Sequence, residues 1–395
     1  MRRGRSALPA QWRELAPIMV TSTLVGMTIS LALPLHSMVL ERAGVVPFTI
    51  GLNTAAGGLG IFVVAPFIGR LVAGLGVVGC FRAGLAVTAA CMLIFPLWVD
   101  AAFWFFVRLL FGAAAGLMFV LSEAAVNAMT PEAIRGRVLG VYATLFSLGF
   151  ASGPLVLALA GSEGWTPFIL GSALFALGMV PAGMLRGVES RMAAEPGGGT
   201  HRLADTWRVA PLAMLGVFVY ATLEAAQFAL LPVYALSRGL SEGMAAGLLS
   251  IWLSGNILLQ YALGWLADRW RRQRVMALCV AVAVGGQLLV PLAFATPALL
   301  WPLLVLLGGV MGGLYTLSLV LVGEQFRGAD LTQANTAFVM TFQLGAIAGP
   351  PFTGAAMREL GVASFPLALL VPLLALGLLL LCRKPAAILP SGARD

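Results

Sequence analysis

Apolar residues run in blocks of about twenty along the whole chain, and short polar breaks separate them. A block of that length crosses a hydrocarbon core as a single helix. Strands would give shorter segments with strict alternation, and the blocks show neither. Twelve spans are predicted, near 14–40, 46–70, 79–99, 101–129, 137–160, 165–185, 209–236, 244–267, 275–295, 298–324, 332–357 and 362–382. The fold class is therefore all-α, a membrane protein of twelve transmembrane helices.

The longest polar stretch is 186–208, "RGVESRMAAEPGGGTHRLADTWR". Its Pro-Gly-Gly-Gly break and mixed charge are a linker composition. It splits the spans six and six, giving an N-terminal bundle over 1–185, a cytoplasmic linker over 186–208 and a C-terminal bundle over 209–395. The halves repeat. Gly112, Gly116, Gly149, Gly153 and Pro154 match Gly308, Gly312, Gly345, Gly349 and Pro350 at an offset of 196, and Gly60 and Gly69 match Gly255 and Gly264 at 195. "LPLH" at 33–36 resembles "LPVY" at 231–234. Glycines at one depth let helices approach closely. Repeats of this kind mark secondary transporters, with the solute site between them near the midplane. Two pseudo-symmetric six-helix bundles are expected.

Composition sharpens this picture. The chain has 395 residues, of which 60% are hydrophobic and 10% charged. A soluble protein of this size could not bury so much apolar surface. The net charge of +8 is a matter of topology. With the N-terminus in the cytoplasm, 20 of the 24 Lys and Arg fall on the cytoplasmic side. Arg42, Arg238 and Arg358 fall outside, and Arg108 lies within a span. That asymmetry is the positive-inside pattern. The basic partners are lipid head groups, and no nucleic acid is expected. The basic start "MRRGRSALPAQWREL" has no signal-peptide cleavage pattern and is read as retained. Cys80, Cys91, Cys279 and Cys382 have no CxxC spacing, so no disulfide framework and no metal site is expected. No phosphate-binding G-x-x-x-x-G-K-[ST] loop occurs, which argues against an ATP-driven pump in this chain. No cofactor is expected.

Three stretches resemble the major facilitator superfamily. "GWLADRWRR" at 264–272 resembles its G-x-L-A-D-R-x-G-R-R loop, with Arg271 where Gly is usual. "RLLFGAAA" at 108–115 resembles its fourth-span arginine pattern. Gly140, Gly149, Gly153 and Pro154 fit its fifth-span glycine pattern, although the Gly-Gly pair that should follow is Leu157-Ala158. "RGRVLGVY" at 135–142, with a charged loop only in the second half, resembles most the YcaD-like bacterial branch. The resemblance implies a monomeric multi-pass protein of the bacterial inner membrane with both termini cytoplasmic.

The charged loop has an uncharged twin, "GRLVAGLGVVG" at 69–79. In the family fold each loop packs on the fifth helix of the opposite half. Asp268 would then meet Arg135, Arg137 and a positive helix N-terminus, while Arg272 reaches Glu324. The twin positions of Asp268, Arg272, Glu324, Arg135 and Arg137 are Ala73, Val77, Ala128, Leu331 and Gln333. The whole set is missing on one side. It reads as one gating latch at the cytoplasmic face, broken when the cavity opens inward; a purely structural latch is the alternative.

Polar residues within spans are the remaining candidates, because a charge at the bilayer centre costs roughly 2.5–3.5 kcal/mol on insertion scales. Glu224 lies midway along the seventh span with Gln227 on the same face. Glu123 and Asn127 share a face of the fourth span, and Arg108 lies nearer its outer end. His36 stands near the outer end of the first span and reads as an interfacial side chain or a proton sensor. Trp252, Asn256 and Gln260 form a stripe on the eighth span, solute-facing or helix-joining. Tyr315 with Ser318, and Gln343, are further candidates, while Tyr142 and Phe146 read as packing. The paired glycine motif, Gly349 and Pro350 included, reads as helix packing. Together these imply alternating access for a small organic solute coupled to protons or another ion; the fifth-span glycine pattern resembles that of antiporters, and this resemblance implies efflux antiport, with uptake by symport as the alternative. A transporter-like sensor or scaffold is the reading of another class. An enzyme is not expected, for want of a nucleophile–base pair at recognisable spacing.

Overall fold

The computed structural model describes residues 7–130, 134–185, 188, 203–326 and 328–382. Twelve long helices follow in order: α1 (Ala7–Arg42), α2 (Pro47–Val64), α3 (Ile68–Ile94), α4 (Ala101–Met129), α5 (Arg135–Ala160), α6 (Thr166–Ala182), α7 (Pro211–Ser237), α8 (Glu242–Arg269), α9 (Arg272–Ala295), α10 (Pro297–Gln325), α11 (Gly328–Leu360) and α12 (Phe365–Cys382). A short helix, Leu203–Val209, precedes α7. Several helices start where the sequence marks a start. Pro47, Pro211 and Pro297 open theirs, where a missing N–H leaves no bond unmade. Asp100 caps α4 by accepting from the Phe103 N–H at 2.8 Å.

Nine stretches among the described residues are long and apolar enough to cross a membrane. One of them, Pro47–Leu97, contains two spans. The boundary expected between residues 70 and 79 is a turn at one residue. Helix continues past the short 3-10 segment at Ala65–Phe67 to Leu75, and the chain reverses at Gly76, whose φ of 71° is left-handed. Only glycine enters that region without steric cost. In the other half the reversal falls at Trp270 and Arg271, and Arg271 is the offset-195 partner of Gly76. So the charged loop and its twin turn at the same place.

The pairing of helices repeats between halves. α1 packs on α5 and α6, α2 on α4, and α3 on α4 and α6. In the same way α7 packs on α11 and α12, α8 on α10, and α9 on α10 and α12. Close backbone approach explains two of the repeated glycines. A Cβ on Gly112 would sit 1.9 Å from the Gly57 carbonyl oxygen, and one on Gly308 would sit 1.7 Å from that of Trp252. Large apolar side chains such as Leu159 and Leu381 point outward, as suits a lipid-facing surface.

Across the halves, α2 packs on α11 and α5 on α8, with α1 against α7. The direct contacts among described residues cluster toward one end. We call the end reached by α6 before residue 186 the linker face, and the opposite end the far face. Gly51 lies against Pro350 and Gly354 against Pro47. Gly243 approaches Ala158, and the Ser250 hydroxyl donates to the Ala151 carbonyl at 3.0 Å. All these residues lie in the far-face half of their helices. Toward the linker face, positions 140 on α5 and 264 on α8 have no neighbour within 4 Å of a built Cβ. The halves meet at the far face and part toward the linker face.

Candidate functional site

Glu224 is half-buried on α7. Four residues earlier on the same face, the Tyr220 hydroxyl donates to Glu224 Oε1 at 2.6 Å. Asn256 of α8 donates from Nδ2 to the same hydroxyl in a long bond of 3.5 Å. The relay therefore runs Asn256, Tyr220, Glu224. The Tyr220 ring lies 5.4 Å from that of Tyr315 on α10 and 6.1 Å from that of Phe342 on α11. Tyr315 also lies 5.4 Å from Phe338.

Glu123 of α4, in the other half, is exposed. Tyr315 lies within electrostatic reach of both Glu123 and Glu224. Tyr142 of α5 also senses Glu123, and its hydroxyl shares a 2.7 Å bond with Ser122. The ring of Phe146 stacks 6.4 Å from Tyr142, and Phe150 meets Phe228 across the halves at 5.1 Å. Tyr142 and Phe146, read from sequence as packing residues, thus stand beside the acidic site. Asn127, one turn past Glu123, has no partner for its buried Oδ1 among the described residues.

Helical rise orders these groups by depth. Measured from the linker-face helix ends, Glu123 lies about 9 Å in, Tyr315 about 15 Å, Glu224 about 20 Å and Arg108 about 32 Å. Arg108 is therefore well removed along α4 from Glu123. It is buried, with no partner for Nη1 among the described residues.

His36 differs from the interfacial position expected of it. It is 1% exposed and enclosed by rings, with Phe95 at 4.0 Å and Trp104 at 5.3 Å. Neither ring nitrogen has a partner among the described residues. Phe111 at 6.2 Å and Phe168 at 6.3 Å complete the enclosure, so His36 lies sideways inside the N-terminal bundle although it is near the end of α1. The stripe on α8 also divides. Trp252 is fully buried against Phe228, Asn256 joins the Glu224 relay, and exposed Gln260 donates to Thr316 Oγ1 at 2.6 Å. Gln227 is buried with no partner for Oε1 among the described residues, Ser318 is buried, and Gln343 is half-buried. Within the glycine motif, a Cβ on Gly149 would sit 2.3 Å from the Thr23 carbonyl, and one on Gly349 2.3 Å from that of Thr222. Gly153 meets Ser30 and Met27 as closely, with Pro154 next to it as Pro350 is next to Gly349. Gly140 departs from the motif: it has open space around it, because α5 stands clear of its neighbours near the linker face.

At the linker face, Arg272 forms an ion pair with Glu324. Arg269 stacks over the Trp265 ring at 3.7 Å. Asp268 is exposed, with no hydrogen bond or ion pair among the described residues, and Arg137 is exposed. The Arg135 side chain lies outside the described residues. At the far face a second charged cluster bridges the halves. Arg42, at the end of α1, pairs with Glu242 at the start of α8, and the Ser162 hydroxyl donates to the same carboxylate. Arg42 also donates to the Ser162 hydroxyl at 2.7 Å. Arg358 lies over the Phe48 ring at 5.5 Å. Sequence reading missed this strap. Its only signal was that Arg42 and Arg358 stand outside the cytoplasmic set.

The comparisons agree with this architecture. The family model of the Major Facilitator Superfamily matches residues 16–252 and again 213–395. Among relatives, the chain is 25% identical to the uncharacterized MFS-type transporter YfkF of Bacillus subtilis (strain 168), over 93% of this chain and 95% of that one. It is 24% identical to the uncharacterized MFS-type transporter YcaD of Salmonella paratyphi B, over 85% of this chain and 87% of that one. The fold is similar to that of the nucleoside transporter NupG (TM-score 0.75, 16% identity, 93% of this chain and 98% of that one). It is equally similar to a bacterial homolog of the human lysosomal transporter Spinster in an inward-facing, unoccupied conformation (TM-score 0.75, 12% identity, 96% of each chain). Twelve helices with repeated pairing, a family match on each half and relatives that span nearly the whole chain lead to one conclusion: this chain is a multi-pass membrane protein of the Major Facilitator Superfamily and works as a secondary transporter.

Proposed function

We propose that this transporter exports a small organic solute from the bacterial cytoplasm in exchange for protons, with Glu224 as the coupling acid. The observation that carries the proposal is the placement of Glu224: a carboxyl half-buried between the bundles, held by one hydroxyl, Tyr220, and close to the aromatic ring of Tyr315. A carboxyl in such a place is most stable when it holds either a proton or a positively charged partner, because an unpaired buried charge is costly. Occupancy by proton and by solute is then mutually exclusive, which is the requirement for exchange.

Exchange with protons, which enter the cytoplasm down their gradient, would carry the solute out. The basic residues put the linker face in the cytoplasm, so a protein joined at its far face opens inward. The strap of Arg42, Ser162 and Glu242 then closes the outside. Asp268 and the start of α5 would come together when the linker face closes. The glycine motif of α5 has no vote on direction, because α11 packs on α7 through the same spacing.

The test is a flux assay in liposomes of the purified full chain, with a pH-sensitive dye inside and a panel of labelled organic cations, nucleosides, sugars and amino acids outside. Export by exchange predicts that at least one solute accumulates as protons leave, and that a protonophore abolishes the accumulation. Proton movement in the same direction as the solute would identify symport. Solute flux without proton movement would contradict proton coupling altogether.

A further inference from the structure

We infer that the solute is an organic monocation with an aromatic or aliphatic body, and that it meets two carboxylates in succession, Glu123 and then Glu224. The assignment rests on the reading of the space between the halves as the solute path.

The two acids come from opposite halves, Glu123 on α4 and Glu224 on α7, and Tyr315 lies within electrostatic reach of both. Their depths from the linker face, about 9 Å and 20 Å, place Tyr315 between them at about 15 Å. Neither acid has an ion-pair partner among the described residues; Glu224 is held by a neutral hydroxyl. The nearest in-span cation on α4, Arg108, lies about 22 Å along the helix from Glu123. It is buried beside His36, away from the acids. Aromatic side chains stand beside both acids: Tyr142, with Phe146 stacked on it, near Glu123, and Tyr220, with Tyr315 against it, at Glu224. Ring faces carry negative potential and attract cations, more strongly where water is excluded. Exposed and unpaired Glu123 repels anions at the first station, and at Glu224 an anion can neither replace the proton nor pair with the carboxylate. A cation entering from the linker face meets exposed Glu123 first. It then passes Tyr315 to Glu224, where its charge replaces a proton. The apolar body adds dispersion contact with the rings, beyond the cation–ring attraction that a bare ammonium ion also makes.

Equilibrium binding with no pH gradient tests this. The purified full chain in detergent is titrated with tetraphenylphosphonium and, separately, with tetraphenylborate, an anion of the same shape. Saturable binding of the cation is expected, with at least a tenfold preference over the anion. Glu123→Gln and Glu224→Gln should each weaken cation binding about tenfold. Tyr315→Phe should keep it and Tyr315→Ala should lose it, because the ring and not the hydroxyl makes the contact. Each variant is first checked for wild-type helix content and elution volume. No saturable cation binding, equal binding of the anion, or wild-type binding by both Gln variants would overturn the assignment. Binding here needs no proton flux. A protein that binds the cation selectively but shows no proton-linked transport would overturn the exchange reading and leave this inference standing. Proton-linked transport of an uncharged solute would do the reverse.

Discussion

Tyr220 is the residue that fixes the Glu224 carboxyl. Its hydroxyl donates to Glu224 Oε1 and accepts from Asn256. Tyr220→Phe keeps the ring contacts with Tyr315 and Phe342 and removes only this bond. Hydrogen bonds to ionisable groups contribute about 1.5–3 kcal/mol. A carboxyl left to swing should therefore slow transport about tenfold or more, while helix content and elution volume stay at wild type. Wild-type turnover in that variant would show that Glu224 is oriented by something else. Glu224 itself is legible in the sequence, because a lone acid midway along an apolar span has a high insertion cost and needs a reason. Tyr220 is legible in principle too, since it stands four residues away on the same face. Asn256 as its partner is not: that contact joins two helices, and no local spacing encodes it. His36 shows the opposite failure. Its nearness to the span end suggested an interface, but rings from neighbouring segments, Phe95, Trp104, Phe111 and Phe168, enclose it.

At the scale of the helix, the repeat predicts which glycines tolerate a side chain. Gly112→Ala would put a methyl 1.9 Å from the Gly57 carbonyl, and Gly308→Ala one 1.7 Å from the Trp252 carbonyl. Backbone cannot yield as a flexible side chain can, so α4 must move from α2, and α10 from α8. Overpacking of this kind costs roughly 1–3 kcal/mol. Both variants should melt several degrees lower in detergent. Gly140→Ala is the control, since nothing lies within 4 Å of the added methyl. It should melt at the wild-type temperature; equal loss in all three would mean that the packing differs. The helices were legible from hydropathy, and the repeat from glycine spacing. The turn at Gly76 falls inside the predicted break between 70 and 79; only its exact residue was hidden, because the residues on both sides are apolar and a backbone angle alone marks the reversal.

For the whole molecule the two faces are opposed. The Arg42, Ser162 and Glu242 strap favours the state joined at the far face, while Asp268 stands exposed at the linker face. Arg42→Ala removes an ion pair that is partly exposed, worth on the order of 1 kcal/mol, which amounts to roughly fivefold in a two-state population. Cysteines placed along the far-face halves of α2 and α8 should label faster in that variant. Asp268→Asn should act in the opposite sense, making far-face labelling slower and linker-face labelling faster, because it weakens the state in which α5 and α8 meet at the linker face. Ala73→Asp should leave both rates unchanged, since Leu331 offers no charge. Two variants that shift labelling the same way would contradict the opposition of the faces. Beyond the outside position of Arg42 the strap was not legible, because its members, a helix end, a loop residue and a helix start, lie far apart in the chain.

Coupling through Glu224 has its most direct test in one pair of fluxes. Glu224→Gln keeps the shape and hydrogen bonding of a protonated acid and cannot release a proton. In liposomes bearing the variant, accumulation of the carried solute driven by a pH gradient is compared with exchange of labelled for unlabelled solute without a gradient. The predicted result is loss of gradient-driven accumulation, with exchange kept only at solute concentrations raised about tenfold, since Glu123 and the rings still hold the cation and exchange needs only the loaded carrier to change sides. Gradient-driven accumulation at the wild-type level would contradict Glu224 as the coupling site.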